Sequence, residues 1–240
     1  MTQSAFWRVL MIKLLAIETS SEACSVALSL DGECREVHEQ APMRHAELLL
    51  PAVSGLLGEA GLSLSALDAI AFGRGPGSFT SLRIGIGVVQ GLAWAAELPV
   101  VPCPSLAAVA QQAFDRAGVH SESVCVAMDA RMQEVFTAEF GRGAGGLAEA
   151  ASAERVCTPS VVGREAQAGP FIAAGNGFHR YPELKDMADA AVACYPDLLP
   201  RASVIARLAL GWLEHNQPLP AALAQPVYIR NNVATKPQPS

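Results

Sequence analysis

Hydrophobic and polar residues at the start of the chain follow the pattern of an antiparallel β-meander. Residues 14–17 form an apolar run that leads into the polar turn Glu18-Thr19-Ser20-Ser21. Residues 24–30 alternate between apolar and polar positions, as expected for a strand with one buried face. The dipeptide Asp31-Gly32 is a strong signal for a two-residue hairpin turn, so residues 33–39 are predicted to form the third strand.

The next apolar positions recur with helical spacing. Six of them predict an amphipathic helix over residues 44–60: Leu48, Leu49, Ala52, Val53, Leu56 and Leu57. Pro51 should kink this helix or mark the first turn of a shorter one. Gly61 is placed to end it, and residues 67–72 are predicted to form a fourth strand.

The segment 82–96 is apolar or small on nearly every side of the predicted helix. One stripe comprises Leu82, Ile86, Val89 and Ala93, and another comprises Ile84, Val88, Gly91 and Ala95. A helix that is apolar all round must be covered on both sides. One side can meet the sheet, so the other requires a second domain or a second protein. The glycines at 85, 87 and 91 would allow close approach of another helix.

The remaining pattern predicts a second set of strands followed by helices. Residues 99–101 complete a βββαβαβ unit, Pro102 and Pro104 predict a linker, and Ser105 can cap a helix running to about residue 116. Strands are predicted over residues 123–128, 134–140, 147–156 and 171–174, with a helix over 201–215 and an extended arm over 218–240. This order suggests a duplicated architecture rather than a short-period repeat.

Composition narrows the classes of protein that fit. The 240 residues are 51% hydrophobic and carry a formal net charge of −6, so the chain alone lacks the basic surface typical of nucleic-acid binding. No run approaches the roughly 18 apolar residues of a membrane span, and residues 1–11 lack the features of a signal peptide, which predicts a cytoplasmic protein. Six cysteines without a CxxC pair are interpreted as small buried hydrophobic residues in a reducing compartment.

The loop after the fourth strand is the first candidate for chemistry. Glycines at 73, 75 and 77, with Pro76 between them, connect that strand to the helix, which Ser78 or Thr80 can cap. This strand–loop–helix arrangement is either a phosphate cradle or a tight connection, and the sequence has neither a Walker A nor a GxGxxG motif. Glu18 is similarly open to two interpretations, a phosphate-facing residue or a solvated strand end.

Other catalytic patterns are weak. The five histidines (38, 45, 120, 179 and 215) form no HxxxH or HExxH motif and are interpreted as surface or helix-end residues. Ser78 is not in a GxSxG motif, and no Ser-His-Asp set can be nominated. Asp129-Ala130-Arg131 is expected to form an ion pair or turn at a strand end.

Five motifs in this order resemble the TsaB (YeaZ) family over about residues 13–235. They are Leu15-Ala16-Ile17-Glu18-Thr19-Ser20, His45-Ala46-Glu47-Leu48-Leu49-Leu50-Pro51, Gly75-Pro76-Gly77-Ser78-Phe79-Thr80-Ser81-Leu82-Arg83-Ile84-Gly85, Met128-Asp129-Ala130-Arg131 and Tyr228-Ile229-Arg230. The resemblance implies an α/β, actin-like and Hsp70-like ATPase (ASKHA) fold of two RNase-H-like subdomains. It places the N-terminal subdomain at 12–104 plus about 200–217, the C-terminal subdomain at 105–199, and extensions at 1–11 and 218–240.

The resemblance also implies a non-catalytic scaffold, a pseudoenzyme. Its partner TsaD transfers threonylcarbamoyl to N6 of adenosine 37 in tRNAs that read ANN codons, giving the product t6A, and the ATPase TsaE joins them. The chain would form a homodimer when alone and would meet tRNA only through the complex, with no membrane partner. The resemblance implies that the chain holds no cofactor or metal of its own, and that ATP or ADP is a candidate ligand at the interface within the complex.

The resemblance implies two groups of site residues and no catalytic ones. The expected partner interface comprises His45, Leu48, Leu49, Ala52, Arg83, Gly87, Val88 and Gly91. The candidate nucleotide-adjacent residues are Glu18, Thr19, Ser20, Gly75, Gly77 and Ser78. The HxxxH metal motif of TsaD-like chains falls on Ser105 and Val109 here, and valine cannot ligate a metal.

Three departures from the family pattern are expected to weaken autonomous nucleotide binding or to alter a turn. Glu18 stands in place of an Asp, and Ser81 and Gln133 each stand in place of a Gly. The alternative hypotheses are an autonomous ATPase, sugar-kinase-like or M22-type metallopeptidase-like enzyme, or a protease that acts on its partner. Metal content and ATP turnover of the purified chain, and cleavage of the partner on mixing, distinguish these hypotheses.

Overall fold

Two β-sheets face each other across a layer of helices in the computed structural model, which describes residues 12–40, 42–118, 123–143, 145–163 and 169–230. The predicted extension 1–11, His120 and residues 231–240 of the predicted arm lie outside the described residues. Within these ranges, no helix combines the length and the apolar character that crossing a bilayer requires.

The first sheet contains the predicted meander. Its strands are β1 (Leu14–Glu18), β2 (Ala23–Leu30), β3 (Glu33–Gln40), β4 (Ala69–Gly73) and β5 (Val100–Cys103), in the order β3-β2-β1-β4-β5. β1, β2 and β3 pair antiparallel, whereas β4 and β5 continue parallel to β1. Asp31 (φ 50°) and Gly32 (φ 84°) both adopt positive φ, as the two central residues of a type I′ hairpin turn require.

The second sheet repeats this arrangement. Its strands are β6 (Ser123–Asp129), β7 (Val135–Arg142), β8 (Ala148–Ala150), β9 (Arg155–Cys157), β10 (Ile172–Ala174) and β11 (Ala193–Tyr195). β6 pairs antiparallel with β7 and parallel with β10, which pairs parallel with β11. The duplicated architecture is confirmed, and the chain has the predicted α/β fold with the same strand connectivity in both sheets. The single strand predicted over 147–156 is wrong, since β8 and β9 pair with different parts of β7.

Six α-helices in the described part of the chain fill the space around the sheets. They are α1 (His45–Glu59), α2 (Phe79–Ala95), α3 (Ser105–Ala117), α4 (Gly177–Arg180), α5 (Lys185–Ala190) and α6 (Ala202–Leu213). α1 and α2 cover one face of the first sheet, α3 and α6 lie between the sheets, and α4 and α5 cover the outer face of the second. The sequence pattern did not predict β11, α4 or α5, which are too short for a clear periodicity.

One prediction about α1, its end at Gly61, is confirmed, and another, the position of Pro51, is corrected. Gly61 (φ 64°) follows the helix, and the amides of Gly61 and Leu62 donate to the carbonyl oxygens of Gly58 and Leu57, at 3.1 and 3.0 Å. This pair of bonds is the Schellman motif that a glycine at this position allows. Pro51 lies inside α1, so the alternative in which it marks the first turn is wrong.

The predicted linker at Pro102 and Pro104 is wrong. Pro102 lies within β5 opposite Phe72, on the edge of the first sheet, where proline is tolerated because its missing N–H would face away from the ladder. Pro104 occupies the N-cap position of α3, so Ser105 is the first helical residue rather than the predicted cap. The strand therefore passes directly into the helix.

The C-terminal arm packs against the first sheet as far as the structure describes it. Leu219 bridges to Val100 of β5 through two backbone hydrogen bonds, of 2.7 and 2.8 Å. Val227 N then donates to the carbonyl oxygen of Arg74 at 2.8 Å. The prediction of an extended arm is thus confirmed up to residue 230.

The prediction that the cysteines are buried hydrophobic residues is confirmed for three of the six. Cys24, Cys103 and Cys125 are buried, while Cys157 and Cys194 are half-buried. Cys34, on the edge strand β3, is exposed, which corrects the expectation that it is a buried hydrophobic residue.

The first turn of α6 is capped by side chains from the first sheet. Glu36 Oε1 accepts from Ser203 N at 3.0 Å, and Ser25 Oγ accepts from Ala202 N at 2.9 Å. Arg201 also forms an ion pair with Glu36 at 2.7 Å. Burial by itself would raise the pKa of Glu36, but the hydrogen bonds from Arg201, Ser203 and Ser25 and the Arg201 charge outweigh it and lower the pKa.

We expect Glu36→Gln to destabilise the fold by about 1–2 kcal/mol at pH 7, the usual loss for a helix cap with a charged acceptor. Because the folded-state pKa of Glu36 is lowered, its contribution is present above the unfolded value of 4.5 and is lost as pH falls below it. Urea unfolding at neutral and acidic pH measures both effects. A difference between wild type and variant that stays constant down to pH 3 would contradict this prediction.

Candidate functional site

A cleft with a volume of about 910 Å³ opens between the two sheets at the carboxyl ends of β1, β4 and β6. One wall is formed by the β1–β2 turn and the loop before α2, and the other by the end of β6 and the C-terminal arm. We call it the central cleft. In open α/β sheets this edge is the usual position of ligand sites.

The glycine loop is built to contact the β1–β2 turn. A Cβ atom at Gly77 would lie 2.2 Å from the carbonyl oxygen of Ser20, and one at Gly73 would lie 1.8 Å from Glu18 Oε2. A Cβ at Gly85, in α2, would lie 2.1 Å from Thr19 Oγ1. Each of these glycines therefore permits close packing within the chain, which favours the tight-connection interpretation of the loop over a phosphate cradle.

The start of α2 faces the central cleft without a side-chain cap. Ser78 occupies the N-cap position, but its hydroxyl pairs with Ser81 Oγ at 3.0 Å and makes no capping bond. Thr80 lies within the helix, so neither predicted cap is formed as expected. Instead, Ser78 N donates to the carbonyl oxygen of Ser20 at 2.8 Å and holds the loop to the turn.

Glu18 is fully buried, so its interpretation as a solvated strand end is wrong. Its Oε1 accepts from Ser20 N at 2.5 Å, and its Oε2 accepts from Ser105 Oγ at 2.8 Å. Ser105 Oγ in turn accepts from Gly75 N at 3.2 Å. Burial raises the pKa of the Glu18 carboxyl, although the hydrogen bonds from Ser20 and Ser105 oppose that increase. The carboxyl thus joins β1, the glycine loop and α3.

The six candidate nucleotide-adjacent residues divide into two groups. Ser20, Gly77 and Ser78 line the central cleft. Glu18, Thr19 and Gly75 are buried behind it, where their contacts are with other parts of this chain. The structure therefore does not place this second group where a ligand in the cleft would touch it.

The mouth of the central cleft carries an aromatic and cationic cluster of Phe79, Arg83 and Tyr228, which the sequence did not predict to lie together. The guanidinium of Arg83 lies 3.8 Å from the centroid of the Phe79 ring, and its Nε donates to Tyr228 Oη at 2.8 Å. The rings of Phe79 and Tyr228 are 5.3 Å apart. The Tyr228-Ile229-Arg230 motif was the available signal, but nothing in the sequence linked it to residues about 145 positions earlier.

Asp129 forms the predicted ion pair and turn. Its carboxylate lies 3.1 Å from Arg131 Nη1 and 3.2 Å from Arg180 Nε, and it accepts from Tyr181 Oη at 2.6 Å. The turn that follows places Arg131, Met132 and Gln133 at φ 60°, 54° and 58°. A glycine would adopt this backbone without a Cβ penalty, which explains why glycine suits position 133.

Gln133→Gly is expected to stabilise the fold by up to about 1 kcal/mol, since relief of the left-handed conformation exceeds the entropic cost of glycine. Gln133→Ala keeps a Cβ at this φ and serves as the matched control, with no expected gain. Thermal unfolding measures the difference, and an equal or larger gain in the alanine variant would contradict the explanation.

The histidines and the aligned metal positions offer no metal site in the described residues, which contain no group of three or more His, Cys, Asp and Glu side chains suitable for one. Ser105 and Val109 are fully buried on α3. His45 begins α1, as a helix-end residue, but it is only 2% exposed, and its Nε2 lies 3.1 Å from the carbonyl oxygen of Ser21.

The outward side of α1 and α2 holds most of the predicted interface. Leu48, Ala52 and Val88 are half-buried, and Arg83, Gly87 and Gly91 are exposed. Leu49 is fully buried against the first sheet, and His45 is buried at the β1–β2 turn, so neither presents its side chain on this outward side. Trp94, which the prediction omitted, is 77% exposed on the same helix as Gly87 and Gly91. We call the exposed residues of these two helices the outer helical face.

Comparison with known proteins places this geometry in a family. The family model described as TsaD, tRNA N6-adenosine threonylcarbamoyltransferase, matches residues 37–235. The tRNA threonylcarbamoyladenosine biosynthesis protein TsaB of Escherichia coli is 39% identical over 230 residues, covering 95% of this chain and 99% of that protein. The TsaB protein of Haemophilus influenzae is 37% identical over 238 residues, covering 95% and 98%.

A solved structure agrees with these relatives. YeaZ from Pseudomonas aeruginosa is 42% identical and superposes with a TM-score of 0.82, covering 91% of this chain and all of that one (100%). The fold described above is therefore shared with a solved relative over most of the chain. The chain belongs to the TsaB (YeaZ) family of tRNA threonylcarbamoyladenosine biosynthesis proteins.

Proposed function

We propose that this chain is a non-catalytic scaffold subunit of the complex that makes N6-threonylcarbamoyladenosine at position 37 of tRNAs reading ANN codons. In this proposal it binds TsaD through the outer helical face. The observation that carries the proposal is the apolar and small-residue character of that face on α2, which no other described part of the chain fully covers.

The surface of α2 is suited to another helix. A Cβ atom at Gly87 or Gly91 would meet no heavy atom within 4 Å, so a partner can approach the helix backbone closely at both positions. The neighbouring Trp94 is a large exposed aromatic residue of the kind that anchors interfaces. Half-buried Ile84 and Val88 lie beside these positions and extend the apolar surface.

The absence of catalysis is proposed from the chemistry of the side chains. Glu18 is engaged by Ser20 and Ser105, and the positions aligned with the metal motif of TsaD-like chains hold a serine and a valine. Gly73 and Gly77 of the loop pack closely against Glu18 and Ser20, so little space is left there for a phosphate group. These features favour a chain retained for binding over an autonomous ATPase or M22-type peptidase.

The remaining partners follow from the same proposal. TsaE joins the complex, tRNA is contacted through TsaD, and ATP or ADP binds where the central cleft approaches the partner. Alone, the chain forms a homodimer through the outer helical face, because a large exposed apolar surface is costly in water.

The acidic net charge of −6 is consistent with a cytoplasmic subunit that leaves RNA binding to its partner.

Co-purification with TsaD, with and without ATP, tests the scaffold role. We expect a stoichiometric complex and tRNA modification only when both proteins are present. The isolated chain should contain no stoichiometric metal and should not turn over ATP. Modification by TsaD alone at the full rate, or rapid ATP turnover by this chain alone, would contradict the proposal.

A further inference from the structure

A second pocket lies on the outer face of the second sheet, away from the central cleft, and has a volume of about 300 Å³. Strand alternation directs Phe136, Ala138 and Phe140 of β7 to the core between the sheets. Val135 and Glu139 therefore lie on the opposite side of the strand, and Glu139 lines this pocket. We call it the outer pocket.

Glu139 is an unusual residue to find at this position. It is only 5% exposed, and its Oε2 is buried without a hydrogen-bond partner among the residues that the structure describes. The hydrogen bonds with Ala151 and Ser152 use the main chain of Glu139 and do not involve Oε2. A buried carboxylate oxygen without a partner is costly, so its presence beside a pocket points to a ligand that supplies the missing donor.

The other walls of the outer pocket define the charge and shape of that ligand. Glu183 and Asp186 add two carboxylates at its edge, and Phe171 and Leu184 supply apolar surface. Among the described residues that line the pocket there is no lysine or arginine, and Arg155 of β9, outside this lining, donates from Nη2 to the carbonyl oxygen of Val161 at 3.4 Å. The outer pocket therefore combines a net negative charge with apolar walls.

Cys125 contributes no further charge to these walls. It lines the outer pocket, and burial raises the pKa of its thiol to about 12. The thiol therefore stays protonated and neutral at physiological pH.

We propose that the outer pocket binds a small organic cation, a primary ammonium on a short apolar body. The ammonium donates to Glu139 Oε2, and the apolar body packs against Phe171 and Leu184. An organic cation suits the site better than a metal ion, because the described residues include no cluster of three or more suitable metal ligands. The volume is at the lower end of the range for small-molecule sites, about 300–1,000 Å³.

The test uses the full chain and two probes of nearly equal shape. The cation is 3-methylbutylammonium, and the neutral control is 3-methylbutanol. We expect the cation to shift the backbone amide resonances of residues 160–163 and 183–187 saturably, and the alcohol to bind at least about tenfold more weakly, as expected for loss of a charged hydrogen bond. Glu139→Gln should weaken the cation by at least about tenfold, whereas Glu149→Gln, an exposed carboxylate on β8, should leave the affinity unchanged.

Three results would overturn the proposal. The first is that the alcohol binds as tightly as the cation, and the second is that Glu139→Gln binds the cation as tightly as the wild type does. The third is that no saturable shift is seen up to about 50 mM probe, because a specific site should bind in the millimolar range or tighter. If Glu139→Gln does not fold, Glu183→Gln replaces it, because Glu183 is exposed and its substitution should be tolerated. We expect about threefold weaker binding of the cation by Glu183→Gln, and an unchanged affinity there would also count against the site.

Discussion

Gly87→Arg and Gly91→Arg should each weaken binding to TsaD by at least about 100-fold, the loss expected when a central interface position is blocked. Both glycines lie on the exposed side of α2, and a Cβ atom at either would be in open space within this chain. A long arginine side chain there would hold a partner helix away from the backbone. Co-purification and surface plasmon resonance measure the loss, and tRNA modification should fall with it.

The same substitutions should not damage the fold. Glycine is disfavoured in a helix by about 1 kcal/mol relative to good helix formers, so arginine at either position should leave α2 as stable or slightly more stable. Gly145→Arg is the matched control, since Gly145 is exposed and outside the outer helical face. Thermal unfolding that stays normal while binding is lost would support the interface. Full binding and modification by both variants would contradict it.

The same two substitutions should also disrupt the proposed homodimer. If the isolated chain pairs through the outer helical face, Gly87→Arg and Gly91→Arg should convert it to a monomer in analytical ultracentrifugation. A variant that remains dimeric but no longer binds TsaD would show that the two assemblies use different surfaces.

Local signals were sufficient where a residue's role depends on near neighbours. Asp31-Gly32 specified its hairpin because two adjacent positive-φ residues fit only a few turns. The apolar character of α2 on both sides predicted an exposed apolar surface, and Gly91 and Ala95 of the second stripe are indeed exposed. Gly61 predicted the end of α1 because its backbone conformation is costly for other residues.

The sequence was insufficient where a role depends on a distant part of the chain. The buried Glu18 carboxylate accepts a hydrogen bond from Ser105, 87 positions later, and no local pattern indicates that contact. Leu48 and Leu49 are adjacent and equally apolar, so spacing alone could not decide which one faces the sheet. In a sequence, a glycine that makes room for a ligand looks the same as one that makes room for another loop. At Gly77 the structure decides between the two, because the carbonyl oxygen of Ser20 occupies the space beside it.

Gly77→Ala should destabilise the fold by about 1–3 kcal/mol, the usual cost of forcing an extra methyl group into packed structure, or more if the loop detaches. The added Cβ would lie 2.2 Å from the carbonyl oxygen of Ser20, a backbone atom that cannot rotate away as a side chain could. The loop and the β1–β2 turn must therefore separate, which breaks the bond from Ser78 N to Ser20 O, now 2.8 Å long. Urea unfolding gives the free-energy difference directly.

Gly87→Ala provides the matched comparison, because its Cβ meets nothing within 4 Å and removing glycine from a helix should gain about 1 kcal/mol. The opposite signs of the two glycine-to-alanine changes would establish that the loop glycine is required by packing within the chain. A Gly77→Ala variant with wild-type stability but altered binding of ATP or ADP in the TsaD complex would instead assign Gly77 to a ligand. The loop would then be the phosphate cradle that its contacts with Ser20 now argue against.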